Sequence, residues 1–294
     1  MLASRSKIPP EQLIDSLSAH SGWYWEIKFD GVRAVIDRDA KGAVTIYNRA
    51  RTDITYRYPD VVATMGAVDF VGTVDGEIIV AGPDGSPDFA LVHRRDAQST
   101  LSTIRRMATL LPATFMPFDV LSTAGRDLRA FTYLWRREIL TDLLPAAMVA
   151  MSSPEGGAMW AFVLERHLEG LIAKRDDSTY RPGRQKSWIK IVSTRRVTAL
   201  VGGIIAGTGS RAVGALQLYL NNPVTGGLDY IGKVGSGMSD AEMGELVARL
   251  AQVPLLPVEI EYRNVSANGQ LRMPVFKAIR TDVDVLDCTL NQLS

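Results

Sequence analysis

The stretch Glu26-Ile27-Lys28-Phe29-Asp30-Gly31-Val32-Arg33 constrains this chain more than any other. It follows the aromatic run Trp23-Tyr24-Trp25 and leads into Ala34-Val35-Ile36, so strand-like sequence enters an Asp-Gly bend and strand-like sequence leaves it. A lysine at the entrance to such a bend is held by a rigid frame. Lysine is a poor nucleophile at neutral pH because its reference pKa is about 10.4. Nearby cations and partial burial disfavour the ammonium form and would activate the amine. Lysine is also scarce here, since arginine supplies most of the 33 basic side chains. Taken alone, a Lys-x-Asp-Gly bend reads more readily as a surface hairpin with ordinary charges, so its meaning depends on the rest of the chain.

At 294 residues the chain suits two domains of ordinary size or one large one, and an apolar fraction of 46% is enough to fill real cores. The formal net charge is only +1, so a polyanionic partner would have to be met by a local patch. One such patch is present. Residues 175–196 hold Arg175, Arg181, Arg184, Lys186, Lys190, Arg195 and Arg196 against Asp176 and Asp177, and they flank alternating strand sequence. A charge run of this kind is a solvated face or a phosphate-binding surface. The lone Cys288 excludes an internal disulfide framework and a Cys-rich zinc module, and it suits a reducing compartment. The opening MLASRSKIPPEQL lacks the apolar core of a secretory signal, and no apolar run reaches membrane-spanning length. The expectation is a soluble cytoplasmic protein with no membrane contact.

Apolar spacing predicts helices over 9–20, 89–111, 132–148, 158–168 and 239–252. Strands are predicted over 24–28, 33–37, 44–48, 72–80 with a kink at Asp75-Gly76, 113–121, 169–175 and 187–192. In the last of these Lys190 points away from Ile189 and Ile191. Arg49 follows a strand directly and reads equally as a solvated strand end or as a guanidinium aimed at an anion. Glu77, amid Ile, Val and Gly, needs a lysine or a sugar hydroxyl if it is buried. Phe118, judged alone, reads as core filler. After Val192 the composition shifts to short strands (197–205, 214–220, 228–234, 258–263), one helix and glycine-rich turns. That pattern fits a five-stranded OB-type barrel, a fold that often binds nucleic acid.

The order of these segments resembles the ATP-dependent DNA ligases of the covalent nucleotidyltransferase superfamily, in particular the small bacterial and phage enzymes made of the catalytic core alone. EIKFDGVR is similar to the first motif of that family and VDGEI at 74–78 to the third. PFDVL at 117–121 resembles the adenine-stacking segment. EGLIAK at 169–174 and SWIKIV at 187–192 resemble the fourth and fifth motifs. LRMPVFKAIRTD at 271–282 resembles the terminal one. The resemblance implies an α+β fold: an adenylation domain over 1–192, with ATP-grasp-like antiparallel sheets flanked by helices, and an OB-fold domain over 193–294.

Carried over position by position, the resemblance makes Lys28 the nucleophile that takes AMP from ATP, within a catalytic set completed by Asp30, Lys190 and Arg280. Glu26 would accept the adenine amino group beside Ile27, and Phe118 would stack on the base. Arg33 and Arg49 would contact the ribose and the 5′-phosphate of a nick, and Glu77 the ribose. Glu169, with Glu77, would serve Mg2+ or Mn2+. Lys174 belongs to the nucleotide pocket. Arg184 and Lys190 would hold the α-phosphate, while Arg272 and Arg280 would orient pyrophosphate. The implied partner is nicked double-stranded DNA, met by a monomer. No motif specifies a protein partner of the end-binding or primase kind. The chain departs from the family pattern at Val192, where a second lysine is common, and at Arg51, where a glycine is common. An RNA ligase or capping-type nucleotidyltransferase shares the Lys-x-Asp-Gly core, but Glu26 and the arginine-rich terminal segment speak against capping. A catalytically weak nick-binding module is the alternative that Val192 raises. The NAD-dependent ligases are disfavoured because their extra nicotinamide-recognition domain and zinc cysteines are missing. The three histidines, His20, His93 and His167, form no catalytic pattern.

Overall fold

A computed structural model describes residues 1–83, 85–208, 213–266 and 268–293, with the backbone alone at Asp240. The chain divides into two compact units, Met1–Ser193 and Thr194–Ser294.

The first unit runs β1 (Leu2–Arg5), α1 (Pro10–Ser18), β2 (Trp23–Ile27), β3 (Val32–Arg38), β4 (Val44–Asn48), α2 (Pro59–Gly66), β5 (Gly72–Val80), α3 (Phe89–Asp96), α4 (Leu101–Leu110), β6 (Ala113–Thr123), β7 (Arg126–Asp127), α5 (Tyr133–Leu143), β8 (Ser152–Ser153), α6 (Gly156–Glu165), β9 (Gly170–Arg175) and β10 (Arg184–Val192). Its strands make two five-stranded sheets, in the orders β4-β3-β5-β6-β7 and β1-β10-β9-β2-β8. Every pairing is antiparallel except β1 with β10. The first sheet buries Ile36, Ile46, Val74, Ile78 and Val120 against Tyr58, Met65 and Leu140. The second buries Trp25, Ile27, Leu171, Ala173 and Ile191 against Leu13 and Ile14 of α1 and Trp160 and Val163 of α6.

Two expected helices are each broken. The helix predicted over 89–111 is split at 97–100, although no glycine or proline stands there. The buried Arg95 ties the two halves at their junction: it donates to the Ile104 carbonyl and pairs with Asp60 at 2.8 Å. The helix predicted over 132–148 stops at Leu143. Leu144, held extended before Pro145, cannot continue it, and only a short 3-10 turn, Ala146–Met148, follows. The predicted kink at Asp75-Gly76 is present as a register shift between β5 and β6. Strand β1 was not foreseen.

The second unit holds β11 (Arg195–Ala206), β12 (Val213–Asn221), β13 (Leu228–Val234), α7 (Asp240–Leu250), β14 (Leu256–Tyr262) and β15 (Val275–Ile279). They form one antiparallel sheet in the order β13-β12-β11-β14-β15. Its two ends approach each other, because Leu271 N–H donates to the Ile231 carbonyl and Phe276 N–H to that of Ser236. The sheet thus curls around a core of Leu200, Leu216, Leu218, Val258 and Ile260, as an OB-type barrel requires. Helix α7 opens with a capping box between Ser239 and Glu242. Among the described residues no helix is long and apolar enough to cross a membrane.

Candidate active site

The two sheets of the first unit enclose an open cleft of about 810 Å³. Alternation along three paired strands builds one wall. Glu26, Ile172, Lys174, Trp188 and Lys190 line the cleft, while Trp25, Leu171, Ala173 and Ile191 point into the core behind them. The register places Glu26 opposite Ile172, and Lys174 opposite both Tyr24 and Trp188. Arg33 and Glu77, paired across β3 and β5, supply part of the opposite wall together with Phe118 of β6. Arg49, exposed just beyond β4, and Arg184, at the start of β10, complete the rim.

Lys28 stands where β2 ends. Its backbone N–H donates to the Gly170 carbonyl at 2.8 Å, and its ammonium lies 2.5 Å from Glu169 Oε2. Gly170 lets β9 pair closely with β10 at this end: at φ +147, a Cβ there would fall 2.0 Å from the Ile191 carbonyl oxygen. Gly31 does the same for the bend after Lys28, since a Cβ would meet the Ile78 carbonyl oxygen at 2.3 Å. The Asp-Gly bend is thus pressed flat against β5, which brings Glu77 toward Lys28. Burial pushes the Glu77 carboxyl up to about 8, against the opposing pull of Lys28 and Arg33.

Several sequence expectations change at this level. The nearest charge to Lys28 is a carboxylate, Glu169, rather than a cation. Glu26 is almost wholly buried and its carboxylate is already engaged: Lys174 Nζ lies 2.6 Å away and Tyr133 donates its hydroxyl at 2.5 Å. It is an internal counter-ion to Lys174. Arg33 is likewise held, donating to both carboxylate oxygens of Asp75 at 2.9 and 2.5 Å, to Tyr180 at 3.0 Å and to the Met1 carbonyl. Phe118 is not core filler; its half-buried ring faces the cleft, 4.7 Å from the Lys174 ammonium and edge-on to Trp188. Ile27 reaches the cleft rim although its side chain belongs to the core. Asp30 is not among the lining residues.

Lys174, expected in the nucleotide pocket, lines the cleft, while three residues that support the site, Asp119, Arg136 and Asp75, were not named as such from the sequence. Lys174, fully buried, sits within 4.1 Å of the Trp188 ring and 4.9 Å of the Tyr133 ring, and burial lowers its pKa while Glu26 raises it. Asp119 and Arg136, both wholly buried, form a bidentate pair at 2.7 and 2.8 Å that fixes β6 to α5 behind Phe118. Asp75 was noted only as a kink. The signal available was a charged residue inside an otherwise apolar strand, which implies a buried partner without naming it.

Residues 1–191 match the family described as the ATP dependent DNA ligase domain, and residues 209–283 the ATP dependent DNA ligase C terminal region. The chain belongs to the ATP-dependent DNA ligase family. The multifunctional non-homologous end joining DNA repair protein LigD of Mycobacterium tuberculosis is 30% identical to it over 290 residues, covering 89% of this chain and 36% of LigD. A probable DNA ligase of Anaeromyxobacter dehalogenans is 31% identical over 259 residues, covering 85% of this chain and 50% of its own. The chain therefore spans about a third to a half of the length of these curated relatives. The crystal structure of the ligase domain from M. tuberculosis LigD is similar with a TM-score of 0.57 at 28% identity, over 98% of this chain and 97% of that one. A Lig E DNA ligase shares the fold, with a TM-score of 0.64 at 20% identity over 95% of this chain and 98% of its own.

Arg272 and Arg280 belong to the second unit of this ligase-family chain. Arg280 pairs with Asp282 through two bonds of 2.8 Å, and Arg272 N–H donates to the Asn264 carbonyl.

Proposed function

We propose that this chain seals nicks in double-stranded DNA through a lysine-bound adenylate. One observation carries the reading: the Lys28 amine, at the end of β2, stands against a carboxylate in a cleft that gathers Glu77, Phe118, Arg184 and Lys190 from three distant strands. Lys28 must be neutral to attack, and Glu169 at 2.5 Å is placed to accept its proton. The amine then forms a bond to the α-phosphorus of ATP while the bond to the β-phosphate oxygen breaks and pyrophosphate leaves. In the second transfer a 5′-phosphate oxygen of the nick takes AMP and restores the amine. In the third, the 3′-hydroxyl attacks the 5′-phosphorus and AMP departs. Each step asks the protein for positioning and charge neutralisation, which Arg184, Lys190 and Arg49 supply. Phe118 offers its ring to the adenine. Arg272 and Arg280 are assigned to the pyrophosphate.

Among the described residues no three His, Cys, Asp or Glu side chains group into an all-protein metal cage. Mg2+ is commonly held by one or two carboxylates together with substrate phosphates, and Glu169 and Glu77 suit that donor set. When bound there the ion neutralises charge on the phosphate oxygens.

The test is incubation with α-labelled ATP and Mg2+. Label should enter the protein covalently, leave on addition of pyrophosphate, and be abolished in Lys28→Ala without loss of folding. Labelled Lys28→Ala protein, or label taken only from GTP, would overturn the assignment.

A further inference from the structure

Beside the nucleotide cleft runs a second, larger groove of about 1270 Å³, and Arg33 and Arg49 line both. Arg51 and Arg129 line only the second groove, and no carboxylate is among its lining residues. Two of the four guanidiniums are occupied, Arg33 with Asp75 and Arg129 with Asp127. The other two, Arg49 and Arg51, are exposed on the loop of residues 48–52. That loop is locked by Asn48, whose Oδ1 accepts from Ala50 N–H at 2.9 Å and Thr52 N–H at 3.0 Å, while its carbonyl accepts from Arg51 N–H at 2.9 Å. The lock sets Arg51 at φ +63, in the left-handed region. Glycine would occupy that position without strain, so an arginine there carries a backbone cost.

We infer that Arg51 is a duplex-binding residue, holding a backbone phosphate of the DNA in the second groove, separate from the 5′-terminal phosphate assigned to Arg49. The inference rests on the ligase reading for its choice of polyanion. A guanidinium without a carboxylate neighbour, on a rigid loop over an acid-free groove, meets phosphate by charge and not by base identity. The contact is therefore insensitive to sequence and sensitive to salt.

The experiment is a titration of the full chain with nicked and intact duplexes across salt concentrations, comparing unaltered protein with Arg51→Gly and Arg51→Lys. Glycine suits the left-handed backbone, so the fold survives, and a thermal melt verifies it. One phosphate contact contributes a slope of about 0.9 in log K against log salt, or about fivefold in affinity between 0.15 M salt and a 1 M reference. Arg51→Gly should lose that slope and that affinity equally on nicked and intact duplex, and Arg51→Lys should keep the slope. An unchanged slope in Arg51→Gly would overturn the inference, as would a loss confined to nicks bearing a 5′-phosphate. Covalent labelling of the unaltered protein by ATP tests the ligase reading separately, since it needs no duplex.

Discussion

Replacing Lys174 with methionine takes from the interior Glu26 carboxylate its nearest cation and leaves it Arg137 Nη1 at 3.8 Å. The Lys174 and Glu26 side chains are at most 2% exposed, their two charges lie 2.6 Å apart, and the Trp188, Phe118 and Tyr133 rings surround the ammonium. Breaking one half of such a pair costs about 3–5 kcal/mol, because the survivor is buried and unpaired, whereas replacing both halves is often close to neutral. Tyr133 still donates to Glu26 and Arg137 stays 3.8 Å away, which places the expected loss for Lys174→Met near 3 kcal/mol, the lower end of that range. Glu26→Gln should cost a similar amount by taking from Lys174 its carboxylate and leaving it the Phe118 carbonyl at 3.2 Å and the three rings. In the double variant the glutamine still accepts from Tyr133 and neither member of the pair is charged, so the loss should shrink to about 1 kcal/mol, giving a coupling of several kcal/mol. Urea unfolding followed by tryptophan fluorescence reads this directly, since all five tryptophans lie in the first unit. A double variant as unstable as the sum of the singles would refute the reasoning.

Two further outcomes follow from the same cleft. The Glu77 carboxyl, raised by burial to about 8, holds a proton in the folded chain that the unfolded chain has already lost above its own value of about 4.3, so the group reduces stability as pH climbs through that window. Glu77→Gln removes the penalty: its Tm relative to the unaltered protein should be higher at pH 8 than at pH 5, and a difference independent of pH would show that Glu77 is not buried in this way. Gly31→Ala places a Cβ 2.3 Å from the Ile78 carbonyl oxygen and 2.8 Å from Glu77 Cγ, so the bend must lift off β5. Overpacking of this kind costs about 1–3 kcal/mol, and covalent labelling by ATP should fall with it; unchanged urea stability would refute the close contact.

The local code was readable wherever one residue type answers one local need. Alternation over 187–192 put Lys190 on the face away from Ile189 and Ile191, and Lys190 does share the cleft wall with Trp188 while Ile191 lies in the core. The Asp30-Gly31 bend was readable too, whereas the helix predicted through Pro145 ends before it, at Leu143. What stayed hidden depends on partners distant in the chain. Glu26 and Lys174 are 148 positions apart, Arg33 and Asp75 42 apart, Asp119 and Arg136 17 apart. Nothing within a window around any of them says which charge it meets. Motif order nominated Glu26 and Arg33 as ligand contacts; both line the cleft, and packing also ties each into an internal ion pair, with Lys174 and Asp75 respectively.

By itself the sequence determined the chemistry on offer: an amine in an Asp-Gly bend, acids and guanidiniums at strand ends, an aromatic for a base, and a second unit of short strands. Tertiary structure alone decided which of those charges remain available, because a buried charge must be neutralised by whatever neighbour the fold supplies, and that choice precedes any ligand.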